Sequence, residues 1–341
     1  MKGDYKMERI PFVDWRSSIV ILLVGIILIF TAGCGNQTNA EEDLTEIRLD
    51  YAYYSPTSLA LKEFGWVEEA FEEEGIKVEW TLSQGSNKAL EFLNSNSIDF
   101  GSTAGAAALI SKANGAPIQN VYIFSKPEWT ALVTTEDSDI QTIADLKGKQ
   151  VAATLGTDPY IFLVRALAEE GLSENDITLT NLQHADGATA LINGDVDAWA
   201  GLDPHMAKYE VENNTPLFYR NIDFNTYGFL NVREEFAENY PDHVKKVIEA
   251  YEKARQWVLE NPEEAAELLA EEAGIDLEVA KIQMERNDFS NPIPGDIHLE
   301  SIEEAGNLLQ QAEVLKSDID VKETAESLIE PKFSEEVIGG Q

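Results

Sequence analysis

Residues 76–105 read IKVEWTLSQGSNKALEFLNSNSIDFGSTAG, and this stretch decides the fold class. IKVEWTLS is rich in β-branched and aromatic residues and reads as a strand. NKALEFLNSN carries Leu90 and Leu93 at helical spacing, and SIDFGST is a short second strand. A strand, a helix and a strand in so few residues form a βαβ unit, whose strands run parallel. The alternation continues in both directions. Upstream, EIRLDYAYY alternates with period two, and SLALKEFGWVEEAFEEEG spaces Leu61, Phe64, Val67 and Phe71 as a helix with Gly75 as its C-cap. Downstream come the small-residue helix GAAALISKANG, ending at Gly115, and the strands NVYIF and WTALVTT.

A second, similar module starts near Thr135. IQTIADLKGK reads as a short helix, QVAATLG as a strand, PYIFLVRALAEEG as a helix, DITLTNL as a strand, GATALINGD as a helix and VDAWAGL as a strand. FNTYGFLNV then offers a strand that crosses back to the first module, and from Arg233 the chain is helical. The expected organisation is an α/β protein of two lobes, residues 46–134 plus 226–341 and residues 135–225, joined by hinge strands with a ligand cleft between them.

Three strand-to-helix junctions suit an anion. They are Ser83-Gln84-Gly85-Ser86, the stretch Ser102-Thr103-Ala104-Gly105, and Gly156-Thr157-Asp158-Pro159-Tyr160. Each pairs glycine with hydroxyl residues where a helix begins, and the third adds proline in the first turn. A helix leaves its first N–H groups unpaired and carries about half a positive charge there, so several such ends on one cleft hold an anion without lysine or arginine. The hydroxyls of Ser86, Ser102, Thr103 and Thr157 are expected to complete the donor set, each charge-assisted bond contributing ~1.5–3 kcal/mol. Tyr53, Tyr54, Trp129, Tyr160 and Tyr227 lie near strand ends and are expected to wall the ligand's organic part. Trp199 reads as core packing and His205 as a packed or surface histidine. Asp203, before Pro204, either meets an amine on the ligand or caps the following helix.

The 341 residues carry 62 Asp and Glu against 25 Lys and Arg, a net charge of −37. Such a surface opposes nucleic-acid binding, which needs clustered positive charge. Cys34 is the single cysteine, so no intramolecular disulfide and no thiolate zinc site can form, and the four dispersed histidines give no metal-ligand spacing. Residues 1–33 end in the uncharged run IVILLVGIILIFTAG, short for a membrane span and suited to a secretory leader. Its close, Thr31-Ala32-Gly33-Cys34, resembles the bacterial lipobox, with threonine in the usual leucine position. That resemblance implies a lipidated Cys34 anchoring an extracytoplasmic protein to the membrane, with residues 34–45 as a polar tether.

Together, SQGSNKALEFLNSNSIDFGSTAGAAAL, DLKGKQVAATLGTDPYIFLVRALAEEGLSENDI and NGDVDAWAGLDPHMAKYE resemble the periplasmic-type binding proteins for aliphatic sulfonates, taurine and nitrate. The resemblance runs from about Ile47 to Pro262. It implies a type II periplasmic-binding fold, a monomer that takes a small anion and needs no cofactor or metal, and delivery to a membrane permease driven by an ATPase. By position it places the pocket at Ser83 to Ser86, Thr103 to Gly105, Gly156 to Tyr160 and Asp203. No obvious cleft arginine accompanies these motifs, which favours an organic sulfonate over nitrate, and the cysteine-rich motif of a related pyrimidine-binding branch is missing. The chain has no GxSxG, Walker A, GxGxxG or HExxH sequence, so a binding role is expected ahead of catalysis.

Overall fold

The computed structural model of the protein describes residues 44–339. The expected leader, Cys34 and all but the end of the tether lie outside the described residues.

Two sheets organise the chain. The first has six strands in the order β11-β4-β10-β3-β1-β2: β1 (Glu46–Tyr51), β2 (Lys77–Leu82), β3 (Phe100–Ala104), β4 (Ile118–Pro127), β10 (Gly228–Arg233) and β11 (Asn287–Asp288). β1 runs parallel to β2 and β3, as the βαβ reading requires, and β10 lies antiparallel between β3 and β4. All of β10 but its last residue is buried, so GFLNVR shows no polar alternation, as expected of a strand covered on both faces. β2 forms the edge and exposes Lys77 and Glu79, charges that discourage pairing with another chain.

The second sheet has five strands in the order β7-β6-β8-β5-β9: β5 (Leu132–Val133), β6 (Gln150–Ala153), β7 (Thr178–Asn181), β8 (Ala198–Ala200) and β9 (Leu217–Tyr219). Here one expected boundary is corrected. The sequence pattern places WTALVTT in the first lobe through residue 134, but Leu132 and Val133 pair with β8 and β9. The chain has therefore already crossed by residue 132. The strand signal was sound, but sheet membership depends on partners 60 to 90 residues away, which a local pattern does not carry.

The chain passes between sheets twice, through residues 128–131 and 220–227, and these segments are bonded to each other. Asn225 Oδ1 accepts from Thr130 N at 2.8 Å. Arg220 grips Glu128 with two bonds of 2.9 and 2.8 Å. Two hydrogen-bonded crossings give the lobes a defined hinge.

The helical tail packs mainly on the first lobe. Its longest helix, Pro241–Glu260, buries Val244, Val247, Ile248, Tyr251, Ala254 and Val258, a stripe at helical spacing. Each valine or isoleucine of that stripe stabilises the fold by ~1.5–3 kcal/mol when fully buried.

Candidate functional site

A cavity of about 230 Å³ opens between the two sheets. From the first lobe it is lined by Tyr53 and Tyr54, following β1, and Ser83 and Gln84, following β2. These are the C-terminal ends of parallel strands, where open α/β sheets bind ligands. The second lobe supplies Gln183, His184, Ala185 and Asp186 on one side, and Leu202, Asp203, Pro204 and His205 on the other.

Two helices from opposite lobes begin beside this cavity, one just after Gln84 and one at His184. The Ser86–Asn94 helix has Gly85 as N-cap, with no side chain to cap it, and the His184–Asn193 helix has Gln183, whose side chain makes no cap bond. Their first amides are left for an external acceptor, with the positive helix end behind them. His184 is buried, and burial, with His205 as a lesser cause, holds its pKa down at about 3. Burial, and then Lys208, lowers His205 to about 4. Both rings are neutral at pH 7, so the positive potential here comes from the helix starts.

Asp203 is wholly buried beside a cis peptide bond to Pro204. It caps its own helix by accepting from Ala207 N at 2.9 Å, and Arg286 of the first lobe donates to both its oxygens at 3.2 Å. Burial raises its pKa to about 6, with the Arg286 charge opposing the rise. Of the two roles expected for Asp203, capping is the observed one, and its charge is matched by Arg286. The guanidinium also binds Glu210, so one arginine ties the lobes together beside the cavity.

The first predicted junction therefore lines the cavity through Ser83 and Gln84, with Gly85 and Ser86 just behind. Ser86 Oγ accepts from Ala104 N at 2.9 Å, so this hydroxyl braces β3. The second junction is corrected. Gly105 N donates to Tyr227 O at 2.9 Å, and Ala106 N to Thr226 Oγ1 at 3.1 Å, so the start of the Gly105–Ala113 helix is satisfied by the returning chain. Thr103 Oγ1 donates to Ala104 O and accepts from Asn231 Nδ2 at 2.8 Å inside the sheet. Ser102 is wholly buried, and its amide donates to Asp50 Oδ1 at 2.8 Å. A Cβ on Gly105 would meet Ile302 and Phe229 within 2.9 Å, so this glycine serves packing.

The third junction faces the hinge more than the ligand. Thr157 Oγ1 donates to Thr154 O at 2.6 Å. The Asp158 carboxylate accepts from Trp129 Nε1 at 2.8 Å, Thr226 N at 3.0 Å and Thr226 Oγ1 at 2.8 Å. Burial raises the Asp158 pKa, and these bonds oppose the rise. Thr157, Asp158 and Trp129 border only a crevice of about 10 Å³ beside Tyr54, no more than a water's room. Gly156 adopts φ +75°, the left-handed turn that starts this junction, near Asn87.

The aromatics divide in the same way. Tyr53 and Tyr54 line the cavity; the Tyr54 hydroxyl donates to Ser102 O at 2.9 Å, and its ring meets Trp129 edge-on at 5.7 Å. Tyr160 turns its hydroxyl to Glu174, and Tyr227 packs edge-on against His298 with Lys126 over its ring. Neither lines the cavity, which corrects both expectations. Trp199 is core, as expected.

Sequence reasoning missed Gln183, His184, Ala185, Asp186 and Arg286. The helix was expected from Gly187 but starts at His184, and Leu182-Gln183 offers neither glycine nor hydroxyl to announce it. Arg286 sits 83 residues from Asp203 and becomes a cleft residue only on folding. Among the described residues no His/Cys/Asp/Glu group is arranged to hold a metal, and no helix is long and apolar enough to cross a membrane.

Two α/β lobes, two bonded crossings and a polar cavity at strand ends define a periplasmic-type binding-protein fold. The alkanesulfonate-binding protein SsuA from Xanthomonas axonopodis pv. citri, bound to MOPS, shares it with a TM-score of 0.76 at 24% identity, over 82% of this chain and 97% of that one. The chain belongs to the NMT1/THI5-like family, which it matches over residues 63–265. It is 28% identical to a Bacillus subtilis (strain 168) protein named for aliphatic sulfonate binding, over 95% of this chain and 99% of the relative. An Escherichia coli (strain K12) protein with the same name is 26% identical over 90% and 96%. These relatives are binding proteins by name, not enzymes.

Proposed function

We propose that this chain is the extracytoplasmic solute-binding component of an ABC importer, capturing a small aliphatic sulfonate and delivering it to a membrane permease coupled to an ATPase. The observation that carries the reading is the cavity of about 230 Å³ lined by Ser83 and Gln84, which lead into the Ser86 helix of one lobe, and by the first turn of the His184 helix of the other, neither helix having a side-chain cap. A sulfonate head is a fixed anion with three acceptor oxygens, and unpaired amides at two positive helix ends supply matching donors without an ion pair. The amides of Ser86, Asn87, Ala185 and Asp186 hold the head, while Tyr53 and Tyr54 border the organic part. Binding groups on both lobes make ligand a reason for the hinge to close, and closure is what a permease can recognise. The names of the relatives support the substrate class. The protein acts as a monomer, held at the outer face of the membrane by a lipidated Cys34 and the tether that follows, and it binds its ligand without turnover.

Calorimetric titration of the purified protein with short alkanesulfonates is expected to give micromolar dissociation constants, about −8 kcal/mol. Heat of binding from nitrate or a carboxylate, with none from any sulfonate, would refute the assignment.

A further inference from the structure

The cavity wall contains a buried group that an anionic head cannot use. His184 is 1% exposed, and its Nδ1 lies 3.1 Å from Thr154 Oγ1. Thr154 donates its only hydroxyl proton to Leu182 O at 2.7 Å. In the contact with His184 the threonine oxygen must therefore accept, which puts the imidazole hydrogen on Nδ1. Nε2 is then a bare lone pair. The pKa held down at about 3 keeps it so through the physiological range.

No donor among the described residues reaches Nε2, although it is buried. The position opposite is a glycine: a Cβ on Gly85 would fall 2.8 Å from Nε2. Gly85, at φ +158°, thus sets only a bare α-carbon against this buried edge of the ring, next to the cavity that His184 lines. Two more buried acceptors without donors lie nearby. Gln183 Oε1 belongs to a cavity-lining residue, and Asn87 Oδ1 is 2.9 Å from the same Gly85 Cβ position. A buried polar group left without a partner is costly, and native proteins rarely keep one without a use for it.

A sulfonate oxygen only accepts hydrogen bonds and would be repelled by such a lone pair. We propose that His184 Nε2 accepts a hydrogen bond from the organic part of the ligand, so that the preferred substrate is a sulfonate bearing a hydrogen-bond donor, a hydroxyl in the simplest case, and not a plain alkanesulfonate. This rests on the reading of the chain as a sulfonate receptor. The head occupies the amides of the two helix starts, and the donor on the carbon chain meets His184. A site built to bond a substrate hydroxyl discriminates against the analogue lacking it, because the site's own polar group is then left unpaired.

The test compares 2-hydroxyethanesulfonate with ethanesulfonate, which share a carbon skeleton, by calorimetry on the intact protein and on His184→Phe. The hydroxylated ligand is expected to bind the wild type about tenfold more tightly, and the variant is expected to reduce that preference to within about twofold. Equal affinities in the wild type, or a preference that survives in His184→Phe, overturn the inference and leave the sulfonate reading standing. If neither compound binds, the sulfonate reading fails and this inference fails with it. Should the variant not fold, ¹⁵N spectra of the wild type decide. Nε2 is expected to be unprotonated in the free protein and to shift with the hydroxylated ligand alone. A proton on Nε2 in the free protein overturns the assignment.

Discussion

The Ser83–Ser86 junction and the Ser102–Gly105 junction carry the same residue types in the same lobe, each closing a parallel strand and opening a helix. The first lines the cavity through Ser83 and Gln84, and its helix has no side-chain cap. The second spends its amides on Tyr227 and Thr226 of the chain returning from the second lobe. What separates them is position in the sheet. β3 lies beside β10, so the end of β3 meets the hinge, whereas β2 is the edge strand and its end stays open to the cleft. Glycine and a hydroxyl mark where a helix begins; the neighbouring strand determines what its amides bind. The same comparison divides the second lobe, where the Asp158 helix start is bound into the hinge and the His184 start faces the cavity.

Substitutions on the hinge side should reduce stability and spare the ligand, and the largest effect is expected at Thr226. Thr226→Val removes both the acceptor for Ala106 N and the donor to Asp158 Oδ1. It is expected to cost ~2–3 kcal/mol in urea unfolding while leaving sulfonate affinity within about twofold.

Asp50 lies beneath both junctions and sharpens the comparison through pH. Burial raises its pKa to about 7, eased by the nearby Ser83 hydroxyl and by the bond from the Ser102 amide. The folded chain therefore holds this proton more tightly than the unfolded one. Its contribution is complete below about pH 4, the unfolded value, and is lost as pH rises through 7. The buried histidines, lowered on folding, act in the opposite sense, so the Asp50 contribution is read as a difference: Asp50→Asn is expected to gain ~2 kcal/mol on the wild type between pH 4 and 8. Parallel profiles would show that Asp50 does not titrate in this window.

The two glycines give a direct pairing. Gly105→Ala forces a methyl against Ile302 and Phe229 and is expected to cost ~1–2 kcal/mol of stability with ligand affinity preserved. Gly85→Ala places its methyl at His184 and is expected to weaken ligand binding about tenfold, ~1.4 kcal/mol. The smallest effect is expected from Thr103→Val, ~1 kcal/mol of stability from the lost bond to Asn231 and no change in calorimetric affinity.

Much of the architecture was legible in the sequence because its causes are local. Period-two and helical spacing located β1, β2, β3 and β6, and the FNTYGFLNV run gave β10, the strand that returns to the first sheet. The sequence marked Tyr53, Tyr54, Ser83 and Gln84 on the first-lobe rim and Asp203 on the second, and all five line the cavity. The His184 helix begins after a glutamine and carries no capping signal, and Arg286 pairs with Asp203 across 83 residues. Thr103, Tyr160 and Trp129 lost their expected roles to Asn231, Glu174 and Asp158, partners that only the folded chain brings within reach.

Amide hydrogen exchange with and without a saturating sulfonate tests most directly whether uncapped helix starts from both lobes hold the ligand head. Slowed exchange is expected at Ser86, Asn87, Ala185 and Asp186, with Gly105 and Ala106 unchanged because the hinge already occupies them. Protection that appears at Gly105 and Ala106, or that misses residues 185–186, would contradict it.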